Sequence, residues 1–133
     1  MRASFIIFLL SIGFFLLSVS AEGADWEFVA INKDGDMFYV DTESIRHISK
    51  TVVGARTKMI YKNPHPFHSK EIVEILDYEE HDCVERKQCR LQVTARYSDG
   101  TNRSANAPEK KWRYISPYTV DSIIHDYLCK KGK

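Results

Sequence analysis

The sequence predicts an α+β fold: a single antiparallel β-sheet of about six strands, connected as a meander and packed by one C-terminal α-helix. Three observations carry that expectation. Alternating apolar and polar residues recur from Val53 to Tyr97, the period of two that a half-buried strand imposes. Turn chemistry separates these runs, with Gly35 and Asp99-Gly100 as the clearest punctuation. Near the end the period changes. Val120, Ile123, Ile124, Tyr127 and Leu128 stand at i, i+3, i+4, i+7 and i+8, one stripe of an amphipathic helix.

The chain opens MRASFIIFLLSIGFFLLSVSAEGADW. Arg2 precedes an apolar run from Phe5 to Leu17, and the run ends in the small residues Val19-Ser20-Ala21. That is the three-part pattern of a secretory signal, so residues 1–21 are expected to be removed after Ala21. The run is shorter than the roughly 20 apolar residues a membrane span requires. The expected mature domain, 22–133, therefore has no stable membrane anchor and is exported, to the periplasm or outside the cell.

In that domain, Trp26–Ile31 and Met37–Val40 read as a hairpin around Gly35. Thr42-Glu-Ser-Ile45 reads as a helical turn. Between Thr51 and Lys62, Val53, Ala55, Thr57, Met59 and Tyr61 alternate with Arg56, Lys58 and Lys62. A polar loop is expected over 63–70, because Pro64 and Pro66 cannot donate to a ladder. Strands follow at 71–81 and 88–98, with weaker ones near Asn102–Ala105 and Lys111–Ile115. The helix has two possible caps, Ser116 ahead of Pro117 or Thr119 for a later start. A lone helix of this length is marginal in water, so its stripe must lie against the sheet.

Charge excludes one class of partner. Arg2 is the one charged residue before the expected cut, so the 19 basic side chains fall to 18 against 18 acidic ones. Nucleic-acid binding needs a net basic footprint, and no nucleic-acid partner is expected. An exported chain meets an oxidising environment, where paired cysteines persist. Cys83, Cys89 and Cys129 allow one internal bridge and leave one thiol over. Spacing alone leaves two pairings open. Cys83–Cys89 closes a short hairpin loop, while Cys83–Cys129 closes about 46 residues, worth about 4 kcal/mol in the chain-entropy picture. A zinc centre generally wants four Cys/His ligands, and the spacing matches no finger. A catalytic thiol needs a base and an orienting partner, which sequence does not place.

Several segments together resemble the surface-adhesin protein E-like domain family of Gram-negative bacteria, from about Trp26 to Cys129. They are the Trp26 strand, "DGDMFYVD" followed by "TESI", "HDCVERKQCR", "RYSDG" and "KKWRYISPYTVDSIIHDYLC". The resemblance implies a single antiparallel sheet packed by a C-terminal helix, with Cys83 bonded to Cys129 and Cys89 as the extra thiol. It also implies binding of host or matrix protein, with haem as an associated ligand. The family's namesake is a surface lipoprotein; this chain carries no lipobox cysteine, which separates it from that mode of anchoring.

The expected function is that of an exported binding protein of the cell envelope, engaging a protein or glycan partner without catalysis. Lys110, Lys111, Arg113, Lys130, Lys131 and Lys133 are the candidate binding residues for an acidic surface, if the helix end neighbours the last strand. The alternative is a periplasmic haem- or metal-binding accessory role for His65, His68 and His81. Loop histidines are more often simply solvated, and neither metal ligands nor a cofactor are assigned. GxSxG, HExxH and a phosphate-cradling glycine loop are all missing from the sequence. Asp82 and Glu85 read as solvated carboxylates. His125 and Asp126, adjacent on a helix, do not face one direction. Trp26, Tyr39, Tyr97 and Trp112 are expected in the core or along its edge. An exposed outer strand would also let a second copy pair, giving a homodimer.

Overall fold

The computed structural model describes residues 23–131. The expected signal segment, 1–21, and Lys133 lie outside the described residues. Eight strands form one antiparallel sheet: β1 (Trp26–Ile31), β2 (Met37–Asp41), β3 (Arg46–His47), β4 (Val52–Phe67), β5 (Lys70–Asp82), β6 (Lys87–Tyr97), β7 (Asn102–Asn106) and β8 (Arg113–Tyr114). A short 3-10 turn, Thr42–Ser44, follows β2, and the helix α1 spans Val120–Lys131. The main path runs β1-β2-β4-β5-β6-β7, while β3 pairs with β4 and β8 with β6. The α+β class and the six-strand meander hold along that path, and the total of eight exceeds the expected count. The two additions are the two-residue strands β3 and β8, too short for any alternation to show in sequence.

The expected loop at 63–70 is corrected to strand. β4 continues to Phe67, through both prolines, and the turn comes at His68, whose φ is 55°. Pairing with β5 lapses between Ile60 and His65, then resumes through Phe67. β2 accompanies β4 only as far as Ile60. The outer part of β4 is therefore an edge, where proline's missing N–H breaks no ladder bond. The helix takes the later of its two possible starts: the Ser122 amide donates to Thr119 Oγ1 at 3.2 Å.

Cross-strand register puts Val40, Thr57, Asp77 and Val93 in one row on one face. The helix lies on this face, with Ile124 and Leu128 buried against Val40, Val53 and Ala55. Burying a leucine-sized side chain contributes about 1.5–3 kcal/mol, so five residues make a modest core. The helix is also held covalently, because Cys83 and Cys129 are bonded, 46 residues apart. Closing a loop of that length contributes about 4 kcal/mol.

Candidate binding face and the polar seam beneath the helix

The opposite face of the sheet carries no helix. Cross-strand partners share a face, so register alone defines a row across all six strands of the main path. That row is Phe28, Tyr39, Lys58, Leu76, Thr94 and Ser104. Five inter-strand steps at about 4.8 Å make it roughly 24 Å long. Phe28 and Tyr39 meet edge to face, with ring centroids 5.7 Å apart. Lys58 Nζ lies 4.4 Å from the Trp26 ring centroid and 5.1 Å from that of Tyr39, a cation held between two aromatic faces. A trough of about 270 Å³ runs beside it, lined by Trp26, Arg56, Lys58, Leu76, Tyr78 and Arg96. Trp26 and Tyr39 thus sit on the open face, not in the core.

The basic candidates do not assemble into one patch. Lys110 Nζ donates to Glu80 Oε1 at 2.8 Å, and Lys111 Nζ lies 4.0 Å from Glu109. Arg113 pairs across from Gln88, whose amide donates to Asp121 at the start of the helix. Lys130 and Lys131 end that helix. Nine residues of rise separate Asp121 from Lys130, about 14 Å. The side chain beside Arg113 that reaches the helix, Gln88, does so at its first turn.

Between helix and sheet lies a seam of buried polar groups. Glu79, His81, Gln88, Ser122 and His125 are all buried. His81 Nε2 and Glu79 Oε1 are 2.8 Å apart, and the Nδ1 atoms of His81 and His125 are 3.1 Å apart. Burial, then His81 and Arg86, lower the His125 pKa to about 4. Asp77 Oδ2 takes Arg90 Nε at 3.1 Å, while its buried Oδ1 has no partner. Burial and the nearby Glu79 and Asp121 carboxylates outweigh Arg90 and raise the Asp77 pKa to about 6. His81 is therefore not available to His65 and His68. It sits opposite Val53 on β4, 12 residues of strand from His65, or roughly 35–40 Å. Among the described residues no three His, Cys, Asp or Glu side chains are grouped to hold a metal ion.

A family model of surface-adhesin protein E matches residues 26–130. The chain belongs to the surface-adhesin protein E family. Its fold is similar to that of Haemophilus influenzae protein E. Crystal form II of that protein matches at 15% identity and a TM-score of 0.55, over 83% of this chain and 94% of that one. The selenomethionine form matches at 14% identity and 0.54, over 81% and 91%. Identities this low speak for the fold. No curated protein sequence matches the chain.

In this member of the protein E family the third cysteine, Cys89, is a free, buried thiol. Burial and the neighbouring Glu80 push its pKa up, which keeps it protonated and unreactive. Sequence reasoning named His81 and His125 separately and missed that they pair with each other. The available signal was a pair of spacings. Glu79 and His81 are two apart on a strand, His125 and Cys129 four apart on a helix, and each spacing puts two side chains on one face. No helix among the described residues is long and apolar enough to cross a membrane.

Proposed function

We propose that this protein E family member is an exported, non-catalytic binding protein of the cell envelope, periplasmic or extracellular. It attaches to a protein or glycan partner through the helix-free face of its sheet. The observation that supports this reading is the row from Phe28 to Ser104, a half-exposed strip of aromatics, one clamped lysine and small polar groups. Aromatic residues interleaved with cations and hydroxyls are the composition of a polar recognition surface. Phe28, 52% exposed at the edge of the row, is its natural anchor.

Attachment to immobilised matrix proteins and to heparin, measured with purified domain, tests the reading against the basic residues. Phe28→Asp with Gln92→Glu alters the open face at two exposed positions. Lys111→Glu with Lys130→Glu alters the basic set. The expected result is that the first pair abolishes attachment and the second leaves it intact. Loss through the second pair alone would move the partner to the basic side chains. Retention by both pairs would falsify the proposal.

A further inference from the structure

Four side chains run from the sheet to the disulfide, and hydrogen-bond arithmetic places their protons. A carboxylate only accepts, so His81 Nε2 carries the hydrogen it shares with Glu79 Oε1, 2.8 Å away. In the neutral ring His81 Nδ1 is then an acceptor. It faces His125 Nδ1 at 3.1 Å, which must donate. His125 Nε2 is left as a bare lone pair, 3.6 Å from Cys129 Sγ. The order is carboxylate, orienting imidazole, base, sulfur: a base held by its own positioning group beside one sulfur of the bridge.

The bridge is also reachable. Cys83 and Cys129 are only partly buried and line a hollow of about 450 Å³ with Arg86 and Lys130 beside them. Asp126 lines the same hollow and pairs with Arg86 at 3.0 Å, which leaves Lys130 as the cation facing an incoming anionic thiol.

We propose that the Cys83–Cys129 disulfide is exchange-active: a small external thiol opens it at Cys83 Sγ, and Cys129 leaves as a thiolate beside His125. A new S–S bond forms between the incoming sulfur and Cys83. The Cys83–Cys129 bond breaks, and its electron pair passes to Cys129 Sγ. The proton lost by the incoming thiol ends on His125 Nε2. One disulfide replaces another, so no oxidant or reductant is consumed. A cation beside a thiolate lowers its pKa, and the sulfur of lower pKa leaves faster. That makes Cys129 the leaving sulfur. While the bridge is closed, burial, His81 and Arg86 keep His125 neutral against the pull of Asp126 and Asp82. The new negative charge on sulfur reverses that balance.

The test uses the oxidised domain and glutathione as the probe thiol at pH 7, with acid trapping and peptide mass mapping. A thiol pKa brought from about 8.5 to about 6.5 by an adjacent imidazolium speeds departure about tenfold at a Brønsted coefficient near 0.5. The expected outcome is glutathione on Cys83, a free Cys129, and native protein reacting about tenfold faster than the same chain unfolded in urea. His125→Gln is expected to lose that advantage, and Glu79→Gln part of it. Equal rates in native and unfolded chains, an adduct on Cys129, or a wild-type rate in His125→Gln would each overturn the proposal and leave a staple only. If His125→Gln does not fold, the native-to-unfolded ratio of the wild-type chain decides alone.

Discussion

Replacing Asp77 by asparagine should change how stability depends on pH, with a sign and size fixed by the seam. Asp77 is 9% exposed at its side chain, and its pKa is raised to about 6 from the ordinary 3.8. The folded state therefore holds its proton more tightly than the unfolded chain. Below the unfolded pKa the side chain is protonated in both states and costs nothing. As pH rises through the window from about 4 to about 6, the unfolded chain ionises first and stability falls. At 1.36 kcal/mol per pH unit, the full effect is about 3 kcal/mol.

His125 acts in the opposite direction over nearly the same window. Its pKa is lowered to about 4 from the ordinary 6.5, so the folded state prefers the neutral ring. That contribution is intact above the unfolded pKa and is lost as pH falls towards 4. The two groups offset one another in the wild-type protein, and a pH profile of that protein alone would miss both. The difference between Asp77→Asn and wild type isolates the carboxyl. Urea unfolding followed by tryptophan fluorescence at pH 4, 5, 6 and 7 should show the variant gaining about 2.4 kcal/mol on the wild type from the lowest pH to the highest, since part of the effect is already present at pH 4. A difference that stays flat within about 0.5 kcal/mol, or that runs the other way, would refute the account of Asp77 as a carboxyl ionised at a cost.

Leu128 is fully buried against Val40, Val53 and Ala55; Leu128→Ala should cost about 3 kcal/mol in urea unfolding, and a loss below about 1 kcal/mol would mean that the helix is not seated there. At Gly54 an added Cβ would lie 2.5 Å from Tyr78 Oη, the end of a rigid ring, so Gly54→Ala should destabilise by about 1–3 kcal/mol; pairing it with Tyr78→Phe should recover part of that loss. Replacing Cys83 and Cys129 together by alanine should lower stability by about 4 kcal/mol, measured by the same unfolding, whereas Cys89→Ala, away from the bridge, should leave the disulfide formed.

Much of the architecture was legible because it rests on period and turn chemistry. The alternation of Val53, Ala55, Thr57 and Met59 identified the face of β4 that the helix covers, and the stripe ending at Leu128 identified what covers it. Proline misled at positions 64 and 66. The rule against proline in a strand applies to paired positions, and whether β4 has a neighbour there depends on where β2 stops. The basic candidates failed to gather for a similar reason. Sequence gives charges but not their partners: Lys110 is taken up by Glu80, and Lys111 lies 4.0 Å from Glu109. The seam was hidden because glutamate is a surface type and histidine one of intermediate burial, so neither Glu79 nor His81 and His125 signals the interior by type. Only the register between β5 and α1, fixed by the Cys83–Cys129 bond, brings them together.

The smallness of the core explains why these polar groups are worth burying. Five buried residues carry the contact between helix and sheet, with Val120 and Tyr127 of the helix and Val29, Phe38 and Ile45 beneath it partly buried around them. Apolar burial is non-directional, so on its own it does not fix the rotation of this twelve-residue helix. The bond from Cys129 to Cys83 fixes one end, and the Gln88 to Asp121 hydrogen bond, 2.8 Å, fixes the other. Between them His125 Nδ1 meets the sheet at His81, 3.1 Å away. Rotating the helix would leave the Nδ1 atoms of His81 and His125 unpaired in the interior, while His81 Nε2 kept Glu79, at a penalty of about 1–3 kcal/mol for each buried group left unsatisfied. Specificity of seating thus comes from polar contacts and covalent closure, while apolar burial supplies only part of the stability. The consequence for function is that one face of the sheet is committed wholly to holding the helix. The row from Phe28 to Ser104 on the other face takes no part in that task, so its residues can change with the partner while the fold stays the same.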